Sequence, residues 1–284
     1  MTINARVAAA RLRLREAGIR ADEAMLDARL LAEHLLGWDT ARLLTSGNDE
    51  EPPWFASRYE ATVGRRAQRE PLPYIVGTRE FWNLTFEVSS AVLIPRPETE
   101  GLVEAVLEQF PERDVPLQIA DVCTGSGCVA IAIAIERPSA HVVASDISES
   151  ALVIAGRNAA RHGVADRVRC VRGDLLAGLD GPFDLVVANP PYVPAGARPA
   201  LQPEVRDFEP SIALFGGANG LDMAEQLASQ AVTRLKPNGY LIFEFGDGQE
   251  AAIRELISRT EGLTMVDAKH DLQEIARVAI TQRT

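Results

Sequence analysis

Phe183-Asp184-Leu185-Val186-Val187-Ala188-Asn189-Pro190-Pro191-Tyr192 decides how the rest of the chain is read. The run from Leu185 to Ala188 is apolar at every position, as in a central parallel strand covered on both faces. Two consecutive prolines offer no N–H to a sheet ladder, so the strand ends at Asn189. Asn189 therefore stands at the carboxyl end of a strand, where open α/β sheets bind ligands. Pro190 and Pro191 fix φ and stiffen the turn. The Asn189 side-chain oxygen and the Pro190 carbonyl can each accept one N–H, and the Tyr192 ring offers a flat face. This set suits a planar NH2 group. The plainer alternative is a proline stop, with Asn189 as a turn residue.

Upstream of this stretch the pattern alternates strand and helix. Residues 117–122 read as a strand, Cys123-Thr124-Gly125-Ser126-Gly127 as a tight turn, and the run from Cys128 as a buried helix. Gly125 and Gly127 allow a sharp bend close to a ligand, and the helix start presents free N–H groups. Residues 141–146 form the next strand, whose last residue, Asp146, is an acceptor for ribose hydroxyls. A helix over 149–162 and a strand over 167–172 lead to Gly173-Asp174-Leu175. Asp174 either meets an adenine amino group, with Leu175 against the ring, or caps a turn. The turn formally fits G-x-G-x-x-A through Ala130, but Asn-Pro-Pro-Tyr at the fourth strand end speaks against a dinucleotide.

Downstream, residues 193–219 read as a long irregular loop, a lid or substrate wall. Helices over 221–235 and 249–260 flank a strand over 240–245. Strands near 263–268 and 276–282 are expected to close the chain as a hairpin at one sheet edge.

The first part of the chain has a different character. Residues 4–70 read as helical, with Phe55, Tyr59 and Val63 on one face. Pro71 and Pro73 are expected to end the helices, and residues 74–94 to form a hairpin. A helix begins near Pro97, so the charged Glu98-Thr99-Glu100 either belongs to a site or is ordinary helix-start chemistry. Arg58, Arg65, Arg66 and Arg69 suggest a basic face, solvated or partner-binding.

The first 80 residues hold as many acids as arginines, so the formal charge of −11 lies wholly in the remainder. A strongly acidic main domain is a poor partner for a nucleic-acid backbone. Cys123, Cys128 and Cys170 lack zinc-ligand spacing, so no metal is expected and a reducing cytoplasm fits. No run approaches the roughly 20 apolar residues of a membrane span. The N-terminal arginines do not resemble a signal peptide.

Ile94-Pro95-Arg96-Pro97-Glu98-Thr99-Glu100, Asp121 to Gly127, Asn189 to Tyr192, Glu209-Pro210 and Glu244-Phe245-Gly246 occur in that order. In this the chain resembles the HemK/PrmC-type peptide chain release factor glutamine methyltransferases over nearly its whole length. The resemblance implies an α/β fold: a Rossmann-like S-adenosylmethionine-dependent domain with a seven-stranded mixed sheet and a terminal antiparallel hairpin. The divisions it suggests are 1–72 for a helical substrate-recognition domain, 73–95 for a β-hairpin linker and 96–284 for the methyltransferase domain. It implies methyl transfer to the side-chain amide nitrogen of the glutamine in a release factor's Gly-Gly-Gln motif. Residues 123–127, Asp146, Ile147, Asp174, Leu175 and Asn189 would then hold S-adenosylmethionine. Asn189, Pro190, Pro191 and Tyr192, with Arg96 and Glu98, would hold the glutamine, with Asn189, Pro190 and Tyr192 the catalytic set. Two positions depart from the family pattern. Cys123 stands where the family commonly has glycine, and Leu175 where some members carry an aromatic residue. Other readings are an adenine-N6 nucleic-acid methyltransferase, a ribosomal-protein glutamine methyltransferase, or a non-catalytic module that binds S-adenosylmethionine. A monomer that does not bind nucleic acid directly is expected.

Overall fold

Five helices occupy the first 77 residues of the computed structural model, which describes all 284: α1 (Ile3–Glu16), α2 (Ala21–Leu36), α3 (Thr40–Ser46), α4 (Phe55–Ala67) and α5 (Leu72–Val76). Thr2 and Asp39 cap α1 and α3 by accepting backbone N–H groups. Ile3, Leu14, Leu31, Phe55, Tyr59 and Val63 form the center of this unit. The Phe55 and Tyr59 rings stack at 5.0 Å, and the buried Tyr59 hydroxyl donates to the Ala28 carbonyl.

Two sequence expectations for this region are corrected. Pro71 and Pro73 do not end the helices: Pro71 precedes α5 and Pro73 lies in its first turn, where no N–H is needed. Nor is the basic face uniformly surface. Arg66 is buried and donates to Asp27 at 2.6 Å and to Glu204 at 2.9 Å, while Arg69 donates to the other Glu204 oxygen at 2.7 Å. Glu204 lies on α9 (Pro203–Phe208), and residues 202–208 belong to this first unit although both flanks belong to the second. A cation 138 positions from its partner leaves no periodic trace in the sequence.

The second unit comprises residues 78–201 and 209–284. It opens with the antiparallel pair β1 (Thr78–Phe81) and β2 (Leu84–Glu87). A 3-10 turn over Pro97–Thr99 leads into α6 (Glu100–Gln109). Then come β3 (Gln118–Val122), α7 (Cys128–Glu136), β4 (His141–Asp146), α8 (Glu149–Arg161), β5 (Val168–Arg172) and β6 (Phe183–Ala188). After α9 follow α10 (Asp222–Arg234), β7 (Leu235–Glu244), α11 (Glu250–Arg259), β8 (Leu263–His270) and β9 (Ala276–Arg283). No helix is long and apolar enough to cross a membrane.

The seven-stranded sheet runs β5-β4-β3-β6-β7-β9-β8. β5, β4, β3, β6 and β7 pair in parallel, whereas β9 is antiparallel to both β7 and β8, giving the terminal hairpin. β6 is covered on both faces. Leu185 and Val187 join one core with Leu102, Val106 and Ile131; Val186 and Ala188 join the other with Leu227, Ile253 and Ile257. From β3 the chain proceeds to one side of the sheet and from β6 to the other, so the carboxyl ends of these neighbours flank a switch-point crevice.

The segment 193–219 is less irregular than its composition suggested. Besides α9 it holds 3-10 turns at Ala195–Ala200 and Ser211–Ala213, and across its neck the Val193 N–H donates to the Leu214 carbonyl while the Val193 carbonyl accepts the Gly216 N–H. Pro194, Pro203 and Pro210 each stand at or beside the start of one of these turns, as fixed φ favours.

Arg66→Met is expected to destabilize the first unit by about 3–5 kcal/mol, because it leaves Asp27 buried without its cation and Glu204 with Arg69 alone. Urea unfolding followed by a probe in residues 1–77 measures this; a loss below about 1 kcal/mol would place the network with ordinary surface pairs.

Candidate active site

The carboxyl ends of β3, β4, β5 and β6 open on a cavity of about 390 Å³. Arg96, Thr99, Asp121, Cys123, Thr124, Gly125, Ser126, Asp146, Ile147, Asp174, Leu175, Asn189 and Pro191 are among its lining residues. Gly127, Pro190, Tyr192 and Glu98 are not. Gly127 instead caps α7, where an added Cβ would press on Ala155 and Ile131 at 3.1–3.2 Å. Glu98 is exposed on the turn before α6. Arg96 is engaged by the chain itself: its guanidinium donates at 2.6 Å to Glu209, which is buried. That pair ties the Pro-Arg-Pro-Glu stretch to the residue that follows α9 in the 193–219 segment.

The turn after β3 has a stated physical cost. Cys123 adopts φ +59 and Leu175 φ +52, in the left-handed region that costs a side-chain-bearing residue about 1–2 kcal/mol. This explains why glycine suits the Cys123 position. The Cys123 thiol is no nucleophile: burial and the nearby Asp146, Asp121 and Asp174 charges push its ionization well up. Leu175 is held in place by Ser145, which donates to its carbonyl, and by Gln230, which accepts the next N–H.

Asp146 braces the turn as well as facing the cavity. Its Oδ2 accepts the Gly125 N–H at 3.0 Å and its Oδ1 the Ser148 N–H at 2.9 Å. Each oxygen retains a lone pair. Burial raises its ionization, and these backbone bonds pull the other way. Asp174 is exposed at the cavity and its carboxylate makes no hydrogen bond, so it does not cap the turn through its side chain. An added Cβ at Gly125 would stand in open space. Two acceptor carboxylates, a backbone turn without a side chain, and apolar walls from Ile147 and Leu175 fit a nucleoside with vicinal hydroxyls, as in S-adenosylmethionine.

At the end of β6 the Asn189 Nδ2 donates to Thr99 Oγ1 at 3.1 Å, leaving Oδ1 without a partner in the chain. The Pro190 carbonyl likewise accepts no hydrogen bond. Tyr192 is held at both ends. Its hydroxyl donates to Glu244 Oε1 at 3.1 Å, and its carbonyl accepts from Gln249 Nε2 at 3.0 Å. Burial and the Glu244 charge raise the Tyr192 phenol, so it stays a donor. Glu244 ends β7, is 2% exposed, and its Oε2 has no partner. Burial pushes its carboxyl up to about 7, opposed by the nearby Thr99 hydroxyl and the Tyr192 phenol; Glu98 adds to the rise and Arg277 counters it. Thr99, Glu244, Glu209 and Gln249 had no role assigned from sequence. The motifs around the first three carried the resemblance, but their partners lie too far along the chain for spacing to reveal.

Comparison with known proteins follows the same outline. Residues 7–77 match the model of the PrmC N-terminal domain, and residues 101–202 that of the methyltransferase small domain. The chain is 43% identical to the release factor glutamine methyltransferase of Cereibacter sphaeroides, over 92% of this chain and 91% of that protein. The chain belongs to the release factor glutamine methyltransferase family. The Bradyrhizobium diazoefficiens member is 42% identical over 98% of this chain and 93% of its own length. Among solved structures, a Pyrococcus furiosus methyltransferase matches with TM-score 0.55 at 20% identity, covering 77% of this chain and 98% of that one. A ribosomal protein L11 methylase from Lactobacillus delbrueckii matches at 0.51 and 25%, over 69% and 84%. These show the fold as a Rossmann-like methyltransferase fold.

A carboxyl raised on folding is neutral in both states at low pH, so it costs nothing there. Its penalty grows as pH rises from the unfolded value, 4.5, through about 7. Glu244→Gln removes that penalty. Its stability relative to wild type should therefore improve by up to about 3 kcal/mol between pH 4.5 and pH 8. Unfolding midpoints across that range test this; a pH-independent difference would contradict the raised carboxyl.

Proposed function

We propose that this protein transfers a methyl group from S-adenosylmethionine to the side-chain amide nitrogen of the glutamine in the Gly-Gly-Gln motif of peptide chain release factors. The observation that carries the reading is the end of β6, where the Asn189 Oδ1 and the Pro190 carbonyl are both left without partners while Asn189 Nδ2 is bound. Family membership supplies the substrate.

When bound, S-adenosylmethionine supplies a methyl group on a positively charged sulfur. The chain's task is to hold and aim the acceptor. An amide nitrogen is a poor nucleophile because its lone pair is delocalized. Asn189 Oδ1 and the Pro190 carbonyl each take one N–H of the glutamine, which raises electron density on the nitrogen and fixes its direction. Such orientation contributes up to about 7–11 kcal/mol in favourable cases. Pro191 stiffens the grip, and Tyr192, tied to Glu244 and Gln249, sets the wall beside it. No strong base is required beforehand, since a methylated amide nitrogen gives up its proton readily. On the cofactor side, Asp146 takes the ribose hydroxyls and Ile147 flanks them. Asp174 and Leu175 take the adenine, and residues 123–127 pass beneath. Arg96 acts through Glu209 as a tie for the substrate segment, and Glu98 is assigned to the rim.

Residues 1–72 are the part we assign to recognition of the release factor, with 73–95 a linker and 96–284 the methyltransferase domain. The match of residues 7–77 to the PrmC N-terminal domain supports this. A cytoplasmic monomer that does not bind nucleic acid directly completes the reading; the acidic main unit supports the last point.

Purified release factor, labelled from the methyl donor and digested, should carry one methyl group on the Gly-Gly-Gln peptide. Label on DNA and none on the peptide would favour the adenine-N6 reading instead. Asp146→Ala should weaken S-adenosylmethionine binding by about 1.5–3 kcal/mol, the loss of a charged acceptor; unchanged affinity in calorimetry would remove Asp146 from the ribose site. Asn189→Ala should still bind cofactor, yet at saturating cofactor lower the single-turnover rate by about 10²–10³. A near-normal rate would make Asn189 a turn residue only.

A further inference from the structure

The segment 193–219 leaves the amide grip at Tyr192 and returns at Gly220, and one side chain bonds both ends. Gln249, the residue before α11, donates from Nε2 to the Tyr192 carbonyl at 3.0 Å. The same nitrogen donates to the Asn219 and Gly220 carbonyls at 3.4 and 3.5 Å.

Three carbonyls gathered at one place accept only, and no backbone N–H donates to any of them. The chain ends also lie close together. Gly220 has φ +76, and a Cβ on it would run into the Tyr192 oxygen; a Cβ on Gly216 would run into the Pro191 oxygen. Glycine lets the ends approach, and a donor between them is what turns facing lone pairs into a bond.

The chain also fixes which way round the Gln249 amide stands. Its Oε1 accepts the Gly246 N–H at 2.8 Å, and its own backbone N–H donates to the Gly246 carbonyl at 3.1 Å. With the oxygen committed to Gly246, the NH2 faces the two chain ends: one proton for Tyr192, one shared by Asn219 and Gly220. Beyond this rung the neck is closed by backbone bonds, among them the Ala195 N–H to the Gly217 carbonyl at 2.9 Å. The neck carries Pro210, Ile212, Ala213 and Phe215, which line the cavity with Asn189.

We propose that Gln249 is a positioning residue that latches the two ends of the 193–219 segment together across Tyr192, and so holds this apolar wall and the Tyr192 ring in place for the acceptor. The consequence for the acceptor rests on the methyl-transfer reading; the latch itself does not.

Two substitutions at one position test this. Gln249→Glu keeps the size and the acceptor for Gly246, but at pH 8 it has no proton to give the carbonyls. Gln249→Leu removes donor and acceptor alike. With a Gly-Gly-Gln peptide in single turnover at saturating S-adenosylmethionine, the half-saturating peptide concentration should rise about tenfold in both variants. The limiting rate should fall by less than about threefold, because the wall is lost to ground and transition state alike. Cofactor affinity in calorimetry should not move. Wild-type half-saturation in Gln249→Glu, a loss confined to the limiting rate, or a loss of cofactor affinity would each overturn the proposal.

The second readout needs no turnover. In the protein without ligand, the Val193, Ala195 and Gly216 amide protons should exchange at least about tenfold faster in Gln249→Glu than in wild type, while those of Val186 and Val187 in β6 keep their rates. Equal exchange at the neck, or faster exchange in β6 as well, would overturn the proposal. A peptide that wild type fails to methylate would count against the methyl-transfer reading, and this exchange measurement would still decide the latch. Thermal unfolding checks each variant; if Gln249→Leu does not fold, Gln249→Met takes its place.

Discussion

A strand covered on both faces that cannot continue past its own last residue is the constraint on which the rest depends. β6 is fixed laterally by parallel partners and vertically by two apolar layers. It can neither shift register nor roll, since a one-residue slip would exchange its two faces. Pro190 and Pro191 end it without fraying. Asn189 is therefore delivered to one place with almost no freedom, as the role we propose for it, aiming another molecule's lone pair, requires. The neighbouring strand ends place the turn over residues 123–127, Asp146 and Asp174 around the same crevice.

The polar groups beneath this grip illustrate a general cost. Glu244, Asp121 and Glu209 are all buried carboxyls whose ionization is raised by loss of water. Each has a specific donor: Tyr192, Thr124 and Arg96 respectively. Buried polar groups of this kind stabilize poorly but specify well when satisfied. The Arg96–Glu209 and Tyr192–Glu244 pairs join segments far apart in sequence, while Thr124–Asp121 closes the turn after β3, so the site is braced by the same bonds that offset the burial of the charges.

The fold was legible in the sequence to the extent that it rests on periodicity and prolines. Apolar runs from 117 to 188 gave the parallel strands, and the closing hairpin followed from two strands with little between them. The lining of the cavity by Cys123, Gly125, Asp146, Asp174 and Asn189 followed from their places at strand ends. Long-range polar pairing was not legible. Arg66 looks like any helical arginine until Asp27 and Glu204 are beside it. Thr99 looks like a helix-start residue until Asn189 is bonded to it. Pro71 and Pro73 were misread because a proline stops one helix and starts the next by the same property, a fixed φ without an N–H. The segment 193–219 was misread because helices of six residues or fewer have too little periodicity to show.

The position of Glu204 has a consequence for synthesis of the chain. Residues 1–77 leave the ribosome first, yet the carboxylate that satisfies Arg66 and Arg69 follows Arg66 by 138 positions. At about 5–20 residues per second that interval is roughly 7–28 s. For that time the nascent bundle holds the Arg66 guanidinium with Asp27 as its one carboxylate, and closing the loop to α9 must await nearly half the chain. The helical unit is thus the first to emerge and cannot be the first to finish.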